Sequence, residues 1–232
     1  MTKPHLFRTT ALAAASICCA VLAGSCGGKK PAPEPAEQRV LVIDGITVTF
    51  ADLEPYTEFL GGYLPESGTK TRNMQALMSH VLPLEASRRA FADERKVQYE
   101  RAKALCDVAT NVLELEQQTE LMVHRKRSNL VRAKAPMPVG IFLFDPLNTN
   151  AVSPPIEVPS GWFVVGSFDY FESPLVISDY VDALQVGFIT HTSREWFAWW
   201  EEAKVGLGQK VTFVHPDYRD EMPEWVQLPK DS

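Results

Sequence analysis

Histidine and cysteine are the residue types here that could hold a metal or relay a proton, and the chain has His5, His80, His124, His191, His215 and, past its leader, Cys106. No two histidines stand in the HExxH spacing, and none falls near Cys106 at a ligand interval. There is no G-x-S-x-G elbow, no P-loop and no dinucleotide fingerprint, and Gly206-Leu207-Gly208 alone is too short a signal. A triad assembled from distant residues is recognised by geometry rather than by order, so sequence leaves that possibility open. The reading is therefore of no catalytic residue, no metal and no cofactor. The side chains that stand out are aromatic: Trp196, Phe197, Trp199 and Trp200. At helical spacing the three tryptophans share a face, and Phe197 lies about 100° from Trp196. Such a face is either core docked on a sheet or an exposed apolar groove that grips polypeptide. Trp196 and Trp200, four apart, are predicted as core, which leaves Trp199 and Phe197 as candidate contacts for a bound polypeptide.

A second chemistry belongs to the leader. Lys3 and Arg8 precede an apolar run from Ala11 to Gly24 that is shorter than the roughly 20 residues a spanning helix needs. This is the pattern of a signal peptide over residues 1–25. It ends in Leu22-Ala23-Gly24-Ser25-Cys26, which resembles the lipobox of bacterial lipoproteins, with Ala23 where that motif usually has Leu. The resemblance implies cleavage between Ser25 and Cys26 and a diacylglycerol on the Cys26 thiol. Ordinary secretory cleavage, with Cys26 an incidental thiol, is the alternative. The Gly-, Pro- and charge-rich residues 26–38 have little to bury and are expected to be a flexible, lipid-anchored spacer.

Composition narrows the partners. The chain carries 23 basic and 29 acidic side chains, a formal charge of −6; without Lys3 and Arg8 the balance is 21 against 29, or −8. That excess disfavours nucleic acid, whose phosphates are bound by Lys and Arg. Cys18, Cys19 and Cys26 lie in or at the end of the leader. If Cys26 is acylated, Cys106 has no partner for an internal disulfide, and packing alone must hold the body.

The elements that would carry these residues fall into two groups. Val40–Ile43 and Ile46–Thr49, around Asp44-Gly45, predict a hairpin, and Thr49 with Asp52 predicts a helix start. A second helix is expected from Thr71, with a kink or break near Leu82 where Pro83 interrupts it, and a third from Gln98 to Met122 along Leu105, Val108, Val112, Leu115 and Thr119. The cations from His124 through Arg132 and Lys134 are then expected at the end of that helix, as a solvated terminus or as a patch for anionic lipid. After Pro136-Met137-Pro138, strands are predicted at Ile141–Phe144, Ile156–Val158, Trp162–Phe168 and Val211–Val214. A short helix is expected over Ser178–Leu184, and a capped one from Thr192-Ser193-Arg194-Glu195.

Val40 to Thr49 followed by a helix is similar to the V-x-V-N-G-x-x-I-T opening of SurA/PrsA-type chaperones, and Met74 to Arg89 resembles the next helix of that family. Val152-Ser153-Pro154-Pro155 through Gly161-Trp162-Phe163-Val164-Val165 resembles the closing V-S-x-P-V-x-T-x-x-G-W-H-I-I strand of a parvulin isomerase domain. Ser193 to Pro216 resembles the segment that follows it. The front half of a parvulin domain has no counterpart between Lys134 and Ile141, and the closing-strand His of the family is Phe163 here. The resemblance implies a chaperone or scaffold made of non-catalytic parts.

The resulting expectation is an α+β protein: a helical chaperone-like unit over residues 39–135, a small mixed strand and helix unit over 136–220, either separate from it or fused with it into one body, and a loose tail over 221–232. Its expected partners are unfolded or partner polypeptides, with a membrane reached through the lipid. A structural lipoprotein of an envelope complex and a residual prolyl isomerase are the alternatives.

Overall fold

The computed structural model describes residues 38–118 and 124–229. Two antiparallel sheets and seven α-helices make it an α+β fold among these residues. It opens with strands β1 (Arg39–Ile43) and β2 (Ile46–Thr49), paired from Ile43↔Ile46 to Arg39↔Thr49. Asp44 and Gly45 both have positive φ, 49° and 74°, the backbone that a two-residue hairpin turn demands and that Asp-Gly supplies at low cost. Thr49 then caps α1 (Phe50–Tyr63): its backbone N–H donates to Asp52 Oδ2 at 2.8 Å, and Asp52 N–H donates to Thr49 Oγ1 at 3.4 Å.

Of the kink or break predicted near Leu82, the structure shows no break but a widened turn just before it. Helix α2 (Thr69–Ala76) continues through a π-helical turn at Leu77–Val81 into α3 (Leu82–Ala90). Pro83 has no N–H for the carbonyl four residues back, and widening the preceding turn absorbs that loss without ending the run; Leu82 N–H reaches back to Leu77 O. The next helix starts earlier than predicted and stops sooner, as α4 (Ala92–Val108), an interruption at Ala109–Asn111, and α5 (Val112–Gln117), where Asn111 Oδ1 accepts from Glu114 N–H at 3.0 Å. Thr119 and Met122 lie outside the described residues.

Three predicted elements change type. His124–Val131 is a strand, β3, and not a helix end. Ile141–Phe144 falls mostly in helix α6 (Met137–Leu143) rather than in a strand: Pro138 sits in its first turn, and Gly140 lets it approach α1. A Cβ on Gly140 would come within 2.3 Å of Phe59 Cζ. The helix predicted at Ser178–Leu184 is instead a 3-10 turn (Val176–Ser178) leading into a strand. Strands β4 (Ile156–Val158), β5 (Gly161–Phe171) and β6 (Tyr180–Ile189) complete a second sheet in the order β3-β6-β5-β4. Alternation along β6 sends Leu184, Val186 and Phe188 against Ala102, Leu105, Val112 and Leu115 of α4 and α5. Val181 and Ala183, with Val165 of β5, join the main core with residues of α1 and α6.

The chain closes with α7 (Ser193–Gly208), capped by the predicted Thr192/Glu195 box, and β7 (Val211–Val214), which pairs with the free edge of β1. Both sheets therefore draw strands from each side of Pro136, and the described residues group as one compact unit. The stretch expected to be a loose tail is docked as far as it is described. Val226 is buried, Gln227 N–H donates to Gly208 O at 2.9 Å, and Trp225 O sits where any Cβ on Gly208 would stand, 1.8 Å away. No described helix is long and apolar enough to cross a membrane.

Candidate functional site

Among the described residues, the face of the four-stranded sheet that joins the main core is not covered along its whole length. Toward the His124 end of β3, between Lys134-Ala135-Pro136 and the start of α7, it opens into a concavity of about 460 Å³. Register builds the floor. His124 of β3 pairs with Gly187 of β6, Gly187 with Phe163 of β5, and Lys126 with Gln185, so these side chains share one face. Gly187 deepens it. A Cβ there would meet Phe163, Ile189 and His124 at 3.4 to 3.6 Å, ordinary contact distances, so the missing side chain is space rather than strain. Lys134 and His191 stand at the rim.

The aromatic residues singled out in the sequence divide around this opening. Trp196 and Trp200 are 8% and 9% exposed and stack at 6.4 Å with an interplanar angle of 5°, as expected of core. Trp199 is half-buried, 5.0 Å from Trp196 and 4.8 Å from Phe91. Phe91 in turn lies 4.1 Å from the His191 ring, so Trp199 supports the rim from behind. Phe197 is 63% exposed on the solvent side of α7, with Glu201 and Ala198 beside it exposed, and does not line the concavity. Cys26 and Ser25 lie outside the described residues.

Charge is sorted by the pleat of β3. On the side facing α5, Arg127 pairs with Asp182 at 2.7 Å and Glu116 at 2.8 Å while its guanidinium lies 3.7 Å over the Phe168 ring; Arg125, which also borders the concavity, reaches Glu116 at 3.5 Å. On the open side, Lys126 and Lys134 have no carboxylate within ion-pair distance among the described residues, and no acid lines the concavity. The basic run is thus neither a helix terminus nor uniformly solvated. One half is neutralised in place and the other is presented.

Other polar clusters are fasteners. Arg95, 4% exposed, donates to Ser87 Oγ (2.8 Å), Pro159 O (2.9 Å), Glu157 Oε1 (2.8 Å) and Val158 O (3.0 Å), tying α4 to the β4–β5 hairpin. Burial pushes the Glu157 carboxyl up, but hydrogen bonds from Arg88 and Arg95 outweigh it and hold the group below the usual carboxylate range. Cys106 donates to Ser153 O at 3.3 Å, and burial, then Asp107, raises its thiol to about 11, which keeps it protonated and inert. A second cavity, of about 560 Å³ between α1 and α2, carries both signs in Glu54, Glu58 and Arg72. Two of its deeper polar groups are occupied with each other: Thr57 Oγ1 donates to Asn73 Oδ1 at 2.5 Å, and Asn73 Nδ2 to Tyr218 Oη at 2.8 Å. Among the described residues no cluster of His, Cys, Asp and Glu is arranged to hold a metal.

Sequence reasoning singled out Phe163 and missed His124, Lys126, Lys134, Gly187 and His191 as a group. The alternation His124/Lys126 against Arg125/Arg127 was the one signal that could have found part of it, had the run been read at a period of two. Set against family models, curated proteins and solved structures, the chain matches none.

Proposed function

We propose that this is a lipid-anchored protein of the bacterial cell envelope that binds unfolded or partner polypeptides, chaperone-like, on the open face of its four-stranded sheet. The observation that carries the reading is the concavity floored by Phe163, Gly187 and Ile189 beside β3, a strand with no neighbour on its outer side among the described residues. A floor of hydrocarbon accepts apolar side chains of many shapes, and an open strand edge supplies backbone donors and acceptors that read no sequence. Both suit a binder of extended chain. The resemblance to SurA/PrsA-type chaperones points the same way, and Phe163 in place of the family's His leaves a hydrocarbon ring where the isomerase has a polar group. The reading therefore carries no catalytic step.

Gly187→Leu tests it, because the backbone there accepts a side chain without strain and the leucine would occupy the floor. The mature chain is expected to suppress aggregation of an unfolded client, and the variant to lose that suppression with its melting temperature unchanged or raised. Full suppression by a folded Gly187→Leu protein contradicts the assignment of the site. The anchor is tested separately: Cys26→Ala is expected to appear in the soluble envelope fraction, and its retention on membranes after a high-salt wash would rule out the lipid.

A further inference from the structure

Resting on the reading of the sheet face as a polypeptide site, we infer that the segments it selects are acidic: extended chain with carboxylates at alternate positions, laid along β3 with those carboxylates over Lys126, Lys134 and His124. Three observations carry this. In a protein whose formal charge is −6, the concavity is lined by cations and histidines with no carboxylate. Its free charge is not a by-product of a basic surface, because the other two cations of the strand, Arg127 and Arg125, the latter also touching the concavity, are matched to Glu116 or Asp182. And among the described residues β3 is the outer strand of its sheet, pairing from His124↔Gly187 to Val131↔Tyr180 with β6 alone. Its other backbone edge can take one more strand in the same pleat. A strand added there sends every second side chain to the concave face, so carboxylates at alternate positions lie beside His124 and Lys126 of β3, with Lys134 of the 3-10 turn that follows the strand at the rim. Leu130, Phe163 and Ile189 beneath them accept apolar neighbours.

Charge complementarity also separates this occupant from a generic apolar client. Acidic segments are attracted before contact, and basic segments are rejected by two lysines that have no carboxylate partner among the described residues. Binding must then weaken with salt, since the interacting charges lie at a solvent-exposed rim.

The test uses the mature full-length chain and two labelled ten-residue peptides of equal apolar content, one with Glu at alternate positions and one with Gln there, read by fluorescence anisotropy. The Glu peptide is expected to bind more tightly than the Gln peptide and to weaken on going from low to moderate salt. Lys126→Gln combined with Lys134→Gln is expected to cost the Glu peptide about tenfold or more in affinity, leave the Gln peptide within about twofold, and leave the melting temperature unchanged. Equal affinity for both peptides, or no loss in the double variant, overturns the acidic preference while leaving polypeptide binding in place. Failure of both peptides to bind removes the reading of the site as well. Competition by free phosphate as effective as by the Glu peptide, or binding to anionic vesicles that the double variant abolishes while neither peptide competes, overturns it in favour of a free anion or a lipid headgroup.

Discussion

At the scale of single residues, what the sequence reveals is what is local. Asp44-Gly45, Thr49 with Asp52, and Thr192 with Glu195 each act within a few positions, and each stands in the structure as its chemistry requires. His124, Phe163, Gly187 and His191 become neighbours only through the register of three strands, which no local pattern states. His80 is a further case. It lies in the π-helical turn at 3% exposure, edge-on to Tyr56 at 4.5 Å, with Nε2 buried and unpartnered. Burial, and then the Arg88 cation, depress its pKa to about 4 against the opposing pull of Glu157. An unfolded histidine titrates near ~6.5. Between that pH and about 4 the unfolded chain binds a proton that the folded chain refuses, so this part of the stability is complete above ~6.5 and fades as pH falls. Denaturant unfolding is expected to show roughly 2 kcal/mol lost from this group between pH 7.5 and pH 5. His80→Phe keeps an aromatic ring there and should flatten the dependence by that amount; an equally steep profile in the variant would rule out His80 as its source.

At the scale of elements, the misassigned segments share a cause. The run Met137–Phe144 is short and apolar throughout, so periodicity cannot distinguish a buried helix from a strand. Val181 and Ala183 alternate with Asp182 and Leu184 as a strand requires, but Ser178 looked like a cap and drew the segment toward a helix. The cations of β3 fitted a helix end until pairing with β6 placed them in a sheet. Helix α7 was legible because a strong cap and a wide apolar face agreed. Its aromatic residues also separate cleanly by burial, and that separation has a measurable consequence. Trp196→Ala and Trp200→Ala should each cost roughly 3 to 5 kcal/mol, whereas Phe197→Ala should stay within about 0.5 kcal/mol, since its ring is mostly in water. Thermal unfolding of the three variants decides this, and a Phe197→Ala loss comparable to that of Trp196→Ala would contradict the burial described here.

At the scale of the whole molecule, the α+β class followed from the mix of helical and strand patterns, but the closure of the chain did not. β7 completes the sheet that β1 began, and the second sheet is clasped between α4 and α5 on one side and the main core on the other. Long-range pairings of this kind leave no mark on the segments that separate them, which is why Pro136 looked like a boundary. Among the described residues the same closure leaves one stretch of sheet uncovered, with a glycine in its floor and cations at its rim, and the proposed function rests there rather than on the exposed ring of Phe197. A photoreactive phenylalanine analogue placed at position 163, and separately at position 197, in the envelope-localised protein tests this most directly. The account predicts cross-links from position 163 to polypeptides that disappear when Gly187→Leu is added, and few or none from position 197. Cross-links from position 197 alone, or none at position 163 in a folded and correctly localised protein, would contradict it.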